Sequence, residues 1–177
     1  MSAISTTVDR LRRAGAQLAD MGDPPRFGPG CCNGELDELG AWYRGLPADY
    51  REFLSLTRSV HAADVFNGYF FYSPLQVARR DDSLPRVLQL AVSGPIEEVP
   101  VVAVAGDGGG NQFVLGMAGQ RRGWVWKWCH EYPVRFDGVA NMGLTQVAST
   151  FAAFVERVAE DWEHFARDDQ TWAYLSG

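Results

Sequence analysis

The sequence predicts an α+β fold, with helices flanking a mostly antiparallel sheet in a single domain, and three observations predict it. Apolar residues recur at helical spacing in the first 57 residues and again from residue 151. Between about residue 65 and residue 130 the period changes to that of strands. The strand candidates there are separated by short glycine-rich turns, so neighbours in sequence run antiparallel.

In the first helix, Ile4, Val8, Leu11 and Leu18 share one face, Ser5 or Thr6 is its expected cap, and Asp9 suits the first turn. Gly15 weakens it by roughly 1 kcal/mol relative to alanine. Residues 22–30, with three prolines and three glycines, end it. Residues 1–30 therefore read as an N-terminal helix and Pro/Gly linker, an arm on the α+β domain of residues 31–177. A second helix is expected from Glu35 to Arg44, with Leu36, Leu39 and Tyr43 on one side and Gly45 as a left-handed stop. Pro47 suits the first position of a third helix, whose inner face is Tyr50, Phe53, Leu54 and Thr57.

Val65 to Tyr72 reads as strand and turn around Asn67-Gly68. Ser73-Pro74 is placed to cap a short helix through Ala78. Residues 81–99 are ambiguous, with Leu84, Val87, Leu88 and Val92 compatible with a helix. Val99 to Ala105 and Gln112 to Met117 are strands joined by the turn Gly106 to Asn111. In the strand Trp124 to His130, Trp124, Trp126 and Trp128 point one way, and Val125, Lys127 and Cys129 the other. The last helix starts near Ser149 or Thr150 and carries a wide stripe of Phe151, Phe154, Val155, Val158, Trp162 and Phe165. The tail after Asp168 keeps Trp172, Tyr174 and Leu175, so packing against the body is expected.

Composition narrows function. The chain has 177 residues, 46% hydrophobic and 21% charged, as in an ordinary globular protein. No run approaches the ~20 apolar residues of a membrane span. The net charge is −6, without the basic footprint of a nucleic-acid binder. The acidity is uneven: residues 151–177 carry 2 basic and 6 acidic groups, whereas residues 51–150 carry 9 of each. Cys31, Cys32 and Cys129 are an odd set that does not read as a disulfide framework, and the N-terminus lacks the apolar core of a signal peptide. A cytoplasmic location is expected.

Candidate sites follow from residue chemistry. Asp107, Gly108, Gly109, Gly110 and Asn111 can cradle a phosphate on backbone N–H groups or hold a cation, or form a hairpin turn bonded to its own backbone. The lysine of a P-loop is missing and a strand pattern follows, so neither nucleotide fingerprint fits. The histidines and cysteines lack the spacing of a zinc knuckle, and no Gly-x-Ser-x-Gly elbow occurs, so no metal, cofactor or catalytic residue is assigned. His130-Glu131 is an acid–base pair or a solvated rim, with Glu131 in reach of Arg121 or Arg122. The tryptophan ladder is either core under a helix or an exposed anchor for a partner. Glu156, Glu160, Asp161 and Glu163 form either a solvated helix face or a surface steering toward a basic partner.

Four segments occur in an order that resembles a known family: Leu46-Pro-Ala-Asp-Tyr-Arg-Glu-Phe-Leu54, Gly106-Asp-Gly-Gly-Gly-Asn-Gln-Phe113, Gly123-Trp-Val-Trp-Lys-Trp-Cys-His-Glu131 and Ser149-Thr-Phe-Ala-Ala-Phe-Val155. Together they resemble the SMI-KNR family of the SUKH superfamily, over roughly residues 35 to 165. The chain departs from the family's short Asn-Gly-Gly after Leu54, reading Ser55 to Gly68 instead. The resemblance implies several helices around a curved, mostly antiparallel sheet. In it Leu46, Pro47, Tyr50, Phe53, Leu54, Phe151 and Phe154 are structural, as are Asp107 to Asn111. It implies a binding role without catalysis: bacterial members are immunity proteins that hold a cognate toxin, of nuclease or deaminase type, and a fungal member regulates cell-wall assembly. The expected partner is therefore a toxin domain or another protein, bound by a monomer or weak homodimer, with Trp124, Trp126, Trp128, Tyr69 and Phe71 as anchors beside the four acidic residues. The alternatives are a regulatory scaffold for a host protein and a small-molecule-binding or enzymatic function at the glycine turn.

Overall fold

The computed structural model describes residues 2–18, 24–61, 69–74, 86–90, 97–132 and 143–175. Its helices are α1 (Ala3–Gln17), α2 (Asn33–Trp42), α3 (Ala48–Leu56) and α4 (Phe151–Ala166). Its strands are β1 (Arg26–Phe27), β2 (Val60–His61), β3 (Phe70–Phe71), β4 (Val87–Leu90), β5 (Glu97–Gly106), β6 (Gln112–Gly116), β7 (Val125–Trp128) and β8 (Leu144–Ala148). They make an eight-stranded sheet in the order β1-β2-β3-β5-β6-β7-β8, with β4 paired to β5, and every pairing is antiparallel. The chain is thus α+β, an antiparallel sheet flanked by helices.

The helices pack on one face of the sheet. Phe113, Leu115 and Val125 meet Leu11, Phe53, Leu54, Phe151, Phe154 and Val158 in one core, all at most 1% exposed. Aromatic rings run through it: Tyr50 lies against Phe151 (centroids 4.8 Å apart), Phe53 against Phe71 (5.0 Å) and Phe113 against Phe154 (5.0 Å). The Leu46–Leu54 and Ser149–Val155 segments therefore meet face to face. Asp49 ties them: its Oδ2 accepts the Ala152 N–H at 2.9 Å, satisfying a donor at the start of α4. The opposite face of the sheet carries a smaller cluster of Leu88, Leu90, Val99, Val101, Ala103, Val114 and Trp126. The two sets alternate along β5 until a register shift between Ala103 and Ala105, after which Val104 and Ala105 both join the helix-side core.

Several expectations are corrected. The first helix is not an arm: Ile4, Val8, Leu11, Ala14 and Leu18 are buried in the main core, because its apolar stripe packs on α4. Its cap is Ser2, whose Oγ accepts the Ser5 N–H, not Ser5 or Thr6. Pro47 is the cap residue of α3, one position before the first turn. Val87 and Leu88 lie in a strand, since Val-Leu-Gln-Leu pairs with Glu97–Pro100; cross-strand pairing outweighs the local helical spacing. The short strands β1, β2 and β8 have no counterpart among the expected elements. Residues 65–68 with the Asn67-Gly68 turn, the helix expected over 75–78, and Leu84 and Val92 lie outside the described residues.

Candidate interaction surface

α4 is amphipathic, and Thr150 caps it by accepting the Ala153 N–H at 3.1 Å. Its buried stripe is Phe151, Phe154, Val155, Val158 and Trp162. The four carboxylates expected on its acidic face have different surroundings. Asp161 is buried, with 2% exposure. It accepts the Tyr69 hydroxyl (2.5 Å), the Trp172 indole N–H (2.7 Å) and the Leu175 N–H (2.9 Å). Arg157 Nε stands 3.7 Å from it. Asp161 therefore fastens the C-terminal tail to the helix and is corrected from a partner-facing residue to an internal one.

The tail is held by several further contacts. Trp172 stacks on His164 (centroids 3.8 Å apart, planes at 4°) and carries the Arg157 guanidinium over its ring at 4.3 Å. Arg157 also donates to the Ala173 carbonyl. Asp169 accepts from the Thr171 N–H (3.0 Å) and hydroxyl (2.7 Å) and meets His164 Nδ1 at 2.8 Å; these bonds hold its carboxyl down at about 2. Lys127 of β7 donates to the Leu175 carbonyl at 3.1 Å. The tail thus packs, as its aromatic content predicts.

Glu163 turns toward α1, where Arg10 grips it with two bonds, Nε to Oε1 at 2.6 Å and Nη2 to Oε2 at 2.7 Å. That clamp lowers the Glu163 carboxyl below the ordinary glutamate range. Glu156 and Glu160 remain outward. Glu156 keeps 55% of its side chain exposed despite a 3.2 Å contact with Arg10, and Glu160 keeps 34%. Both border a cleft of about 510 Å³ between α4, β8 and the tail, lined also by Gln146, Val147, Ala153, Arg157 and Leu175.

The aromatic candidates divide similarly. Tyr69 (1% exposed) and Phe71 (2%) belong to the helix-side core, so neither is a surface anchor. Trp126, 4% exposed, sits in the opposite-face cluster, in register with Val114 of β6 and Gln146 of β8. The ladder does project away from Val125, as alternation predicts, but not under the helices. Trp124 and Trp128 are half-buried. Arg121 lies over Trp124 at 4.3 Å, and the Trp128 indole donates to the Tyr132 carbonyl at 2.7 Å. Arg121 pairs with Glu97 (3.3 Å) and Arg122 donates to the Met117 carbonyl, while Glu131 is exposed. Sequence reasoning did not single out Trp42, 46% exposed at the end of α2. Its signal was its place beside Tyr43, one step off the Leu36–Leu39–Tyr43 stripe.

The glycine turn satisfies its own polar groups. Asp107 Oδ1 accepts the Gly109 and Asn111 N–H groups (3.0 and 2.9 Å), and Oδ2 accepts from Asn111 Nδ2 (2.8 Å). Gly110 has φ 91°, and a Cβ there would meet the His130 ring at 3.2 Å, so two constraints require glycine. This geometry is that of a self-bonded hairpin turn. Among the described residues, no group of three or more His, Cys, Asp or Glu is placed to hold a metal, and no helix is long and apolar enough to cross a membrane.

Fold and surface together define a class: an α+β protein with one acidic helix face beside a cleft and a sheet that, among the described residues, ends at β8. Comparison with protein-family models gives no match, and comparison with curated proteins gives none either. The SUKH resemblance accordingly stands on the four sequence segments.

Proposed function

We propose that the chain is a non-enzymatic protein-binding module, an immunity protein of the SUKH type that neutralises a cognate toxin in the cytoplasm by stoichiometric occlusion. The observation that carries this reading is the division of labour on α4: Asp161 and Glu163 are consumed internally, while Glu156 and Glu160 stay outward at a cleft. A nuclease or deaminase acting on nucleic acid needs a basic cleft, and outward carboxylates steer such a surface into encounter. The exposed Trp42, the half-buried Trp124 and Trp128 and the arginine-rich composition supply side chains of the kind that dominate interface energies. The active form is a monomer or weak homodimer, and nucleic acid itself is not the ligand, since the net charge is −6.

Co-expression with the toxic domain encoded beside this chain tests the reading. Growth is restored if the chain is the antidote; a culture that dies as fast with the chain as without it contradicts the proposal.

A further inference from the structure

The sheet ends at β8, which among the described residues pairs only with β7. The Cys129 backbone N–H donates to the Gly143 carbonyl at 2.8 Å, so the alternate positions Leu144 and Gln146 turn their backbone groups away from β7, toward an edge that no described residue pairs with. Edges are usually blunted by lysine or proline, and β8 reads Leu-Thr-Gln-Val-Ala, without either. In its pairing with β7, Val125 faces Ala148 and Trp126 faces Gln146, which leaves Val147 as an extra residue. Val147 lines the cleft and packs against the core.

The cleft beside this edge has an apolar floor of Val147, Ala153 and Leu175 and a rim of Glu156 and Glu160. Among the described residues lining it the one cation is Arg157, which stands 3.7 Å from Glu160 while it also lies over the Trp172 ring and donates to the Ala173 carbonyl, so an incoming cation at Glu160 competes with a long, shared contact. The two glutamates stand four residues apart on α4, about 6 Å along the axis. Side chains on one face of an extended strand repeat at about 6.7 Å. Two cationic side chains at i and i+2 of a strand laid along α4 therefore match the two carboxylates.

We propose that the β8 edge and this cleft accept an extended, lysine- or arginine-bearing segment of a partner protein. The segment adds as a strand alongside β8, its near backbone edge bonded to the outward-turned N–H and C=O groups of Leu144 and Gln146. Alternate cations reach Glu156 and Glu160 over the apolar floor of Val147 and Leu175, and the side chains between them face the opposite side of the sheet, beside Leu144. The inference rests on the protein-binding reading above and names the chemistry of the partner at that surface.

The probe is a fluorescein-labelled nonapeptide, Gly-Lys-Val-Lys-Thr-Lys-Val-Lys-Gly, with its glutamate-for-lysine counterpart as control. Fluorescence anisotropy is expected to show binding of the lysine peptide, weakening as salt rises, and none of the control. Amide shifts of the ¹⁵N-labelled chain are expected at residues 144–148. The pair E156K/E160K is expected to weaken binding by about tenfold or more. Q146P, which removes an edge N–H, is expected to do the same with the far-UV circular dichroism unchanged. Equal binding of both peptides, or undiminished binding by the charge-reversed chain, would overturn the inference. The co-expression assay separates the two levels: if wild type and E156K/E160K protect cells equally, the protein-binding reading stands and this surface does not. If wild type fails to protect, the immunity reading falls and the peptide arm alone decides whether the edge captures a basic strand.

Discussion

Asp161 and Glu156 stand on the same helix, carry the same charge and meet opposite fates. Asp161 is sealed beneath the tail with three donors on its oxygens, while more than half of the Glu156 side chain faces water. The difference comes from what lies opposite each. Tyr69, Trp172 and Leu175 converge on one side of α4, whereas the neighbouring side opens onto a cleft. A buried carboxylate is retained only where donors replace the water it loses. An exposed one keeps most of its water and costs little to retain, even where, as at Glu156, an arginine stands 3.2 Å away. The acidic tract of the sequence is therefore two devices, a structural clasp and an electrostatic surface.

Three perturbations sharpen that distinction. The largest effect is expected at the clasp. D161A removes the acceptor from a hydroxyl on a 1%-exposed tyrosine, an indole N–H and a backbone N–H. At ~1–3 kcal/mol for a buried group that loses its acceptor, with the two tail donors half-buried and open to water, a loss of about 2 kcal/mol is expected in urea unfolding. A loss below about 1 kcal/mol would place Asp161 with the solvated carboxylates.

A smaller effect is expected from acid. Asp169, ordinarily 3.8, is held at about 2, chiefly by bonds from Thr171 and His164. Glu163 is lowered by the Arg10 clamp. Both folded values lie below the unfolded ones. Their stabilisation is therefore complete above the ordinary carboxylate range and is lost as pH falls, for Asp169 from about 3.8 down through about 2. The urea midpoint should fall across that window, and D169N should flatten the fall. An unchanged slope in D169N would show that the carboxylate is not held by the tail in solution.

The smallest effect on stability belongs to the outward pair. E156Q/E160Q should shift unfolding by no more than about 0.5 kcal/mol, because exposed pairs contribute little. The same change should slow association with a basic partner, and more at low salt than at high. A destabilisation comparable to D161A would mean these residues also serve the fold.

How much of this was legible in the sequence depended on range. α4 could be read because its stripe and Thr150 cap are local, and the glycine turn because Asp107 and Asn111 bond within five residues. Alternation put Trp126 opposite Val125 correctly but could not say which face the helices cover. Nothing local marked Asp161 as buried, since Tyr69 lies 92 positions away. β4 is ambiguous in the sequence because Leu84, Val87 and Leu88 fit a helical spacing, while its actual partner is Glu97–Pro100. The edge strand β8 escaped notice because five residues of mixed polarity, with one unpaired at the bulge, break the period of two. The sequence presents α1 as an arm because the Pro/Gly stretch hides β1, which pairs with β2 and leads the chain back to the sheet.

Titration of the proposed toxin partner's activity with the purified chain tests the central claim most directly. Occlusion by a folded surface predicts that activity falls linearly and vanishes at one chain per toxin, with a one-to-one complex recovered by size-exclusion chromatography. Inactivation by far less than one equivalent, or full activity in excess chain, would contradict it.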